Sequence, residues 1–131
     1  ARMIVERREA KPFKTTFDLV EVVRLAKPHK YYHKVHPATK TFQALRITVN
    51  EELKALEIGL EKGFTALQST GRFAVISFHS LEDRIVKNFF RDKVKEEEAV
   101  AINKKPITAS EEELELNPRA RSAKLRVIEK I

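Results

Sequence analysis

Ser77, His79, Ser80, Glu82, Asp83 and Arg84 crowd into one short stretch of this 131-residue chain. A hydroxyl, an imidazole and a carboxylate in such company invite comparison with a hydrolase triad. Two observations exclude it. The Gly-x-Ser-x-Gly elbow is absent, and triad members this close along the chain cannot reach the required mutual geometry. What remains is recognition chemistry. An imidazole and a hydroxyl can hydrogen-bond the polar edge of a ligand, and a guanidinium can take a phosphate or a carboxylate. Arg119, Arg121 and Ser122 repeat that chemistry later in the chain. Thr39, Gln43, Arg46 and Asn50 recur at helical steps, and they are hydrogen-bonding side chains rather than the Glu/Lys mixture of a water-facing stripe. They face a substrate or another domain, or they anchor their helix to neighbouring loops.

These groups need elements to hold them. Phe73 to Ile76 is an apolar, β-branched run, predicting a strand over Arg72–Phe78 that is buried on both faces. A helix follows from Ser80, where Ser80-Leu-Glu-Asp83 reads as a capping box and Ile85, Val86, Phe89 and Phe90 form the packing face. A strand running into a helix with polar side chains at the junction is where open α/β sheets place ligands. Upstream, residues 2–9 read as helix, ended by Lys11-Pro12. A second helix runs from Thr15 or Thr16 to Ala26, burying Phe17, Val20 and Val23 with Leu19 and Val22 on the flank. Ala38, Phe42, Leu45, Val49, Leu53, Leu56, Leu60, Phe64 and Leu67 then predict one long helix from Pro37 to Lys62 or Leu67. Downstream, 93–103 reads as a charged connection and Lys105–Thr108 as a short edge strand. Ser110–Glu113 opens a short helix that ends at Asn117-Pro118. In Lys124–Ile131, Leu125 and Val127 alternate with charges, as in an edge strand whose charged face meets solvent.

Composition narrows the partners. Without cysteine there is no disulfide, thiol nucleophile or Cys-based zinc site. No apolar run approaches a membrane span and the N-terminus carries no signal-peptide pattern, so no membrane partner and a cytoplasmic location are expected. The net charge of +7 is uneven: residues 1–40 hold 10 Lys/Arg against 4 Asp/Glu, whereas 96–131 hold 7 against 8. A basic N-terminal third favours a polyanion, nucleic acid first, or serves as a solubilising surface. His29–His36 places Tyr31 and Tyr32 among Lys30, His33 and Lys34. It reads as a solvated loop, an RNA contact or, third, a metal site lacking the usual two-His helical spacing. Gly59, Gly63 and Gly71 are the only glycines, too few and too scattered for a phosphate-cradling or dinucleotide loop.

Three blocks carry a resemblance: His36-Pro-Ala-Thr-Lys-Thr-Phe-Gln-Ala-Leu-Arg-Ile-Thr-Val-Asn-Glu-Glu-Leu53, Val75-Ile-Ser-Phe-His-Ser-Leu-Glu-Asp-Arg-Ile-Val-Lys87 and Asn117-Pro-Arg-Ala-Arg-Ser122. In order and separation they resemble the MraW/RsmH family of S-adenosylmethionine-dependent small-subunit ribosomal RNA cytosine methyltransferases, over essentially the whole chain. The family's glycine-rich cofactor loop, acidic ribose-binding residue and base-contacting motif have no counterpart here. The resemblance therefore implies a C-terminal portion, with no cofactor-binding residues and no metal. The implied fold class is α/β: the last two or three strands of a Rossmann-like methyltransferase sheet, long helices, and the tail of an inserted α-helical domain. Residues 1–36 would be the remnant of that substrate-recognition insertion and 37–131 the methyltransferase part. The implied cofactor is S-adenosylmethionine and the implied partner small-subunit ribosomal RNA or the ribosomal subunit. Self-association through an exposed sheet edge is a further expectation. The substrate-facing residues are then His79 and Ser80 near the target base with Ser122 converging on them, Arg84 and Arg121 on RNA phosphate, Lys34 and Lys40 on RNA backbone, and the strip Gln43, Arg46 and Asn50. Each arginine has an alternative as a salt-bridge partner of Glu82 or Asp83. The competing description is a basic RNA-binding module without catalysis.

Overall fold

The computed structural model describes residues 1–26 and 36–131, which form two compact units, Ala1–Asn50 and Glu51–Ile131. Lys34 and most of the histidine–tyrosine stretch lie outside the described residues.

In the first unit, α1 (Arg2–Ala10) stops at Lys11, whose extended backbone is what the following Pro12 demands. Helix α2 (Thr16–Ala26) opens on a reciprocal cap. Asp18 Oδ2 accepts the Lys14 and Thr15 amides at 2.8 Å each, and Thr15 Oγ1 accepts the Asp18 amide at 3.3 Å. Those backbone donors hold the Asp18 carboxyl below its ordinary pKa. The buried face of α2 is Leu19, Val22 and Val23, so Val23 and the two flank residues supply the core, while Phe17 is 79% exposed and does not. Leu19 and Val23 pack with Ala38, Ile4, Phe13 and Phe42.

The single long helix expected from Pro37 onward is two helices. α3 (Thr39–Val49) and α4 (Glu52–Ala66) are separated at Asn50–Glu51, where Glu51 adopts a left-handed conformation with φ 49°. The local cause is the run Ile47-Thr48-Val49, β-branched side chains that crowd the preceding turn, ending in Asn50 at the C-cap. The apolar period crosses this break undisturbed, which is why periodicity alone misses it.

In the second unit, β1 (Arg72–Ser77), β2 (Ala99–Ala101) and β3 (Lys124–Lys130) form a sheet of order β1-β3-β2. β3 runs antiparallel to both neighbours, in register Ser77↔Lys124 to Arg72↔Glu129 on one side and Ala99↔Lys130 to Ala101↔Ile128 on the other. β1 and β2 are therefore parallel, and α5 (Ser80–Lys95) makes the crossover between them. α6 (Glu111–Leu116), capped by Ser110 Oγ, and a 3-10 turn (Pro118–Ser122) lead into β3.

β3 is the central strand among those described, not an edge. The outer strand is Ala99–Ala101, inside the stretch read as a connection, and Lys105–Thr108 contributes only an isolated bridge from Ile107 to Leu125. The faces of β3 are also inverted. Ile128 is buried in the core, and Arg126 and Lys130, two residues to either side, bond to groups on α5 and α4. Leu125 and Val127 take the other face, opposite Ile76 and Ala74, where Ile76 is 57% exposed, so β1 is buried on one face rather than two.

The core of this unit is Leu60, Phe64, Val86, Phe90, Ala99 and Ile128, with Phe73, Val75 and Phe89 packed against it. Gly63 is required by that packing, since a Cβ there would stand 2.8 Å from the Phe73 ring.

Candidate functional site

The chemistry-bearing residues gather where β1 hands over to α5. The N-cap of α5 is His79, one residue before the expected Ser80, because the reciprocal partner is Glu82 rather than Asp83. His79 Nδ1 accepts the Glu82 amide at 3.3 Å, and Glu82 Oε2 accepts the amides of Phe78 at 2.9 Å and His79 at 3.1 Å. An Nδ1 that accepts a backbone N–H carries no proton, so the ring proton sits on Nε2. That atom is buried and lacks a hydrogen-bond partner; Glu82 Oε1 is 3.3 Å away but poorly aligned. His79 thus presents a fixed ring with an unanswered donor.

Asp83 is occupied elsewhere. Arg126 Nε donates to its Oδ1 at 2.8 Å, and Arg126 Nη2 and Lys124 Nζ donate to Oδ2 at 3.4 and 3.3 Å. The Arg126 hydrogen bond, aided by Lys124, holds the Asp83 carboxyl below its ordinary pKa despite burial pulling the other way. This cluster pins the first turn of α5 to β3. Lys124 and Arg126 are not among the residues expected at the site. Their only signal was charge on every second position of a strand, which ordinarily means water.

Arg84 and Arg121 are therefore not the partners of Glu82 or Asp83, and neither makes an ion pair among the described residues. Both are exposed, as are Ser80 and Ser122. The register Ser77↔Lys124 places the turn carrying Arg119, Arg121 and Ser122 at the same end of the sheet as His79 and Ser80. Lys40, Gln43, Arg46 and Asn50 belong to α3 and its C-cap in the first unit, with Gln43 half-buried and the other three exposed.

The glycines do not fit a cofactor cradle. Gly63 lies under Phe73, Gly71 packs against the Gln68 carbonyl and Leu67, each within 2.8 Å of a Cβ position, and Gly59 sits on an open face of α4. None borders His79. Among the described residues there is no group of three or more potential metal ligands, and no helix is long and apolar enough to cross a membrane.

A mixed α/β unit whose strand-to-helix junction offers unpaired polar groups is a ligand-recognition architecture. The whole chain, residues 1–131, matches the MraW methylase family, and it belongs to that family. Over its full length it is 50% identical to the ribosomal RNA small subunit methyltransferase H of Geobacter sp. (strain M21) and of Heliobacterium mobile, covering 47% of each. It is 55% identical to the protein of the same name from Synechocystis sp., covering 41% of it. The chain thus spans less than half the length of these relatives.

Proposed function

We propose that this chain is the RNA-facing, C-terminal portion of an S-adenosylmethionine-dependent methyltransferase acting on the exocyclic amine of a cytosine in small-subunit ribosomal RNA, in the cytoplasm. The names of the relatives support the rRNA substrate. The strand order, with an antiparallel β3 between parallel β1 and β2, supports a Rossmann-like sheet that continues past β1. On this reading residues 1–36 are the tail of an inserted helical domain and 37–131 the methyltransferase part.

On this reading the donor's pocket lies outside these residues, and this chain's share of the work is to hold the acceptor. A cytosine must leave its stack and be fixed with its amine in line for attack, chiefly a matter of positioning and oriented dipoles. The observation that carries the reading is the buried, unpartnered Nε2–H of His79, locked by the cap at the ligand end of β1. It can donate to a carbonyl or ring nitrogen of the base. Ser80 and Ser122 add hydroxyls. On this reading Arg84 and Arg121 take phosphate, Lys34 and Lys40 take the RNA backbone, and Gln43, Arg46 and Asn50 form a polar strip toward the substrate. The glycine positions favour a second description of the chain by itself, a basic RNA-binding module without turnover.

Two variants separate cap from ligand contact. His79→Asn keeps a good N-cap and removes the ring donor, whereas His79→Ala removes both. In a full-length relative, each corresponding change is expected to lower methyl transfer to small-subunit RNA by about a hundredfold, with only the alanine variant losing stability. Unchanged transfer in the asparagine variant removes His79 from the site. Isothermal titration of S-adenosylmethionine into this chain is expected to give no heat; one-site binding would return the donor's pocket to these residues.

A further inference from the structure

On the far half of α5, away from His79, lies a cavity of about 310 Å³ between that helix, β2 and β3. Its apolar lining comes from Phe90, Val94, Ala101 and Ile128. Five cations line it: Lys87, Arg91, Lys95, Lys104 and Arg126, with no carboxylate among the lining residues. Lys87, Arg91 and Lys95 stand four residues apart on one stripe of α5, an arrangement of like charges that destabilises a helix unless something offsets it. Nearby carboxylates answer two of the five. Asp92 pairs with Arg91 at 3.0 Å and Asp83 with Arg126 at 2.8 Å. Lys87, Lys95 and Lys104 make no ion pair among the described residues.

We propose that this cavity and its lysines form a second RNA contact, in which the apolar floor seats one base or ribose while Lys87, Lys95 and Lys104 take the phosphates on either side. Three features select that ligand. The volume is at the small end for a ligand site, where pockets run from about 300 Å³. Unpaired cations around an apolar floor match a nucleotide's charged edge and flat face. Lys87 and Lys95 lie about 12 Å apart along the helix axis, farther than one phosphate reaches, so the site suits a run of phosphates rather than a free nucleotide. Arg91 is about 16 Å along α5 from Ser80, which makes this a docking contact outside the His79 site. The inference rests on the rRNA reading only for the identity of the polyanion.

The test is fluorescence anisotropy of a labelled single-stranded oligoribonucleotide titrated with the whole chain across a salt series. Lys87→Gln/Lys95→Gln is compared with Lys54→Gln/Lys62→Gln on α4, which removes the same charge elsewhere on a helix. Each phosphate contact adds about 0.7 to the salt slope on single strands. The α5 pair should therefore lower the slope by about 1.4 and affinity roughly tenfold, with the α4 pair close to the parent. Ala101→Leu, which fills the cavity and leaves every charge, should weaken binding roughly tenfold at unchanged slope. Melting curves establish that each variant is folded. No binding by the parent chain, equal losses from the two lysine pairs, or equal competition by cytidine monophosphate or polyglutamate would each overturn the proposal. Methyl transfer by the full-length relative is a separate readout, so losing this contact and losing the methyltransferase reading give different results.

Discussion

Asp83 shows how one side chain decides what its neighbours are free to do. Its carboxylate collects Arg126 and Lys124, both far along the chain, and so leaves Arg84 and Arg121 uncommitted. With both partners of the Asp83–Arg126 pair about 14% exposed or less, the interaction is shielded from water. Asp83→Asn is expected to cost about 2 kcal/mol in urea unfolding. The pH dependence follows from the depressed pKa. Between the folded and unfolded values the folded chain binds fewer protons, so the stabilisation is complete above the ordinary carboxylate range. It is lost as pH falls through the lower, folded value. The wild-type chain should therefore lose stability more steeply in acid than Asp83→Asn, and parallel curves would show that the pair contributes nothing.

Between elements, the telling contact is Lys130. Its Nζ donates to the Phe64 and Leu67 carbonyls at 3.1 and 2.7 Å and lies 5.1 Å from the Phe64 ring centroid. A strand lysine thereby caps the C-terminus of α4, where unpaired carbonyls and the helix dipole favour a cation. Lys130→Met keeps the aliphatic stem but leaves those carbonyls unanswered, and should destabilise by about 1–2 kcal/mol. A loss under a few tenths would mean water replaces the ammonium freely. Gly63→Ala is opposed in sign by two effects. It gains about 1 kcal/mol of helix propensity and displaces the Phe73 ring, where overpacking costs about 1–3 kcal/mol. A net loss in the melting curve is expected because Phe73 is wedged against Phe90. These contacts explain which parts of the fold could be read in advance. α1, α2, α5 and β1 announce themselves through local caps and apolar runs. The inverted face of β3 does not, because Arg126 and Lys130 are satisfied by groups 43 to 66 residues away, which a period-two pattern cannot register. The break at Glu51 is similarly silent, resting on one residue's backbone. At the candidate site, His79 and Ser80 were readable from the strand-to-helix switch. That Glu82 holds His79 while Asp83 belongs to β3 depends on one step of helix register.

For the second unit as a whole, the sheet has one covered face and one that is not. Antiparallel partners point to the same side, so Ala74, Ile76, Val127 and Leu125 share the face opposite the α4–α5 core. Ile76 is 57% exposed, and nearby Phe78 and Ile107 are 55% and 54% exposed. The outer edge of β1 pairs with no strand among the described residues, leaving backbone donors and acceptors free along it. An open edge beside an apolar face is a template for another strand, and charged side chains are the usual defence. Arg72, at the start of β1, is already paired with Glu129 at 2.9 Å. The chain is therefore expected to self-associate as its concentration rises, with sedimentation equilibrium showing a mass above the monomer. Ile76→Lys puts a charge in the middle of that face without touching the core, and should return the chain to a monomer with its melting temperature nearly unchanged. A parent chain that stays monomeric at high concentration would show that the exposed face is tolerated as it stands. Association that survives Ile76→Lys would move the contact to another surface.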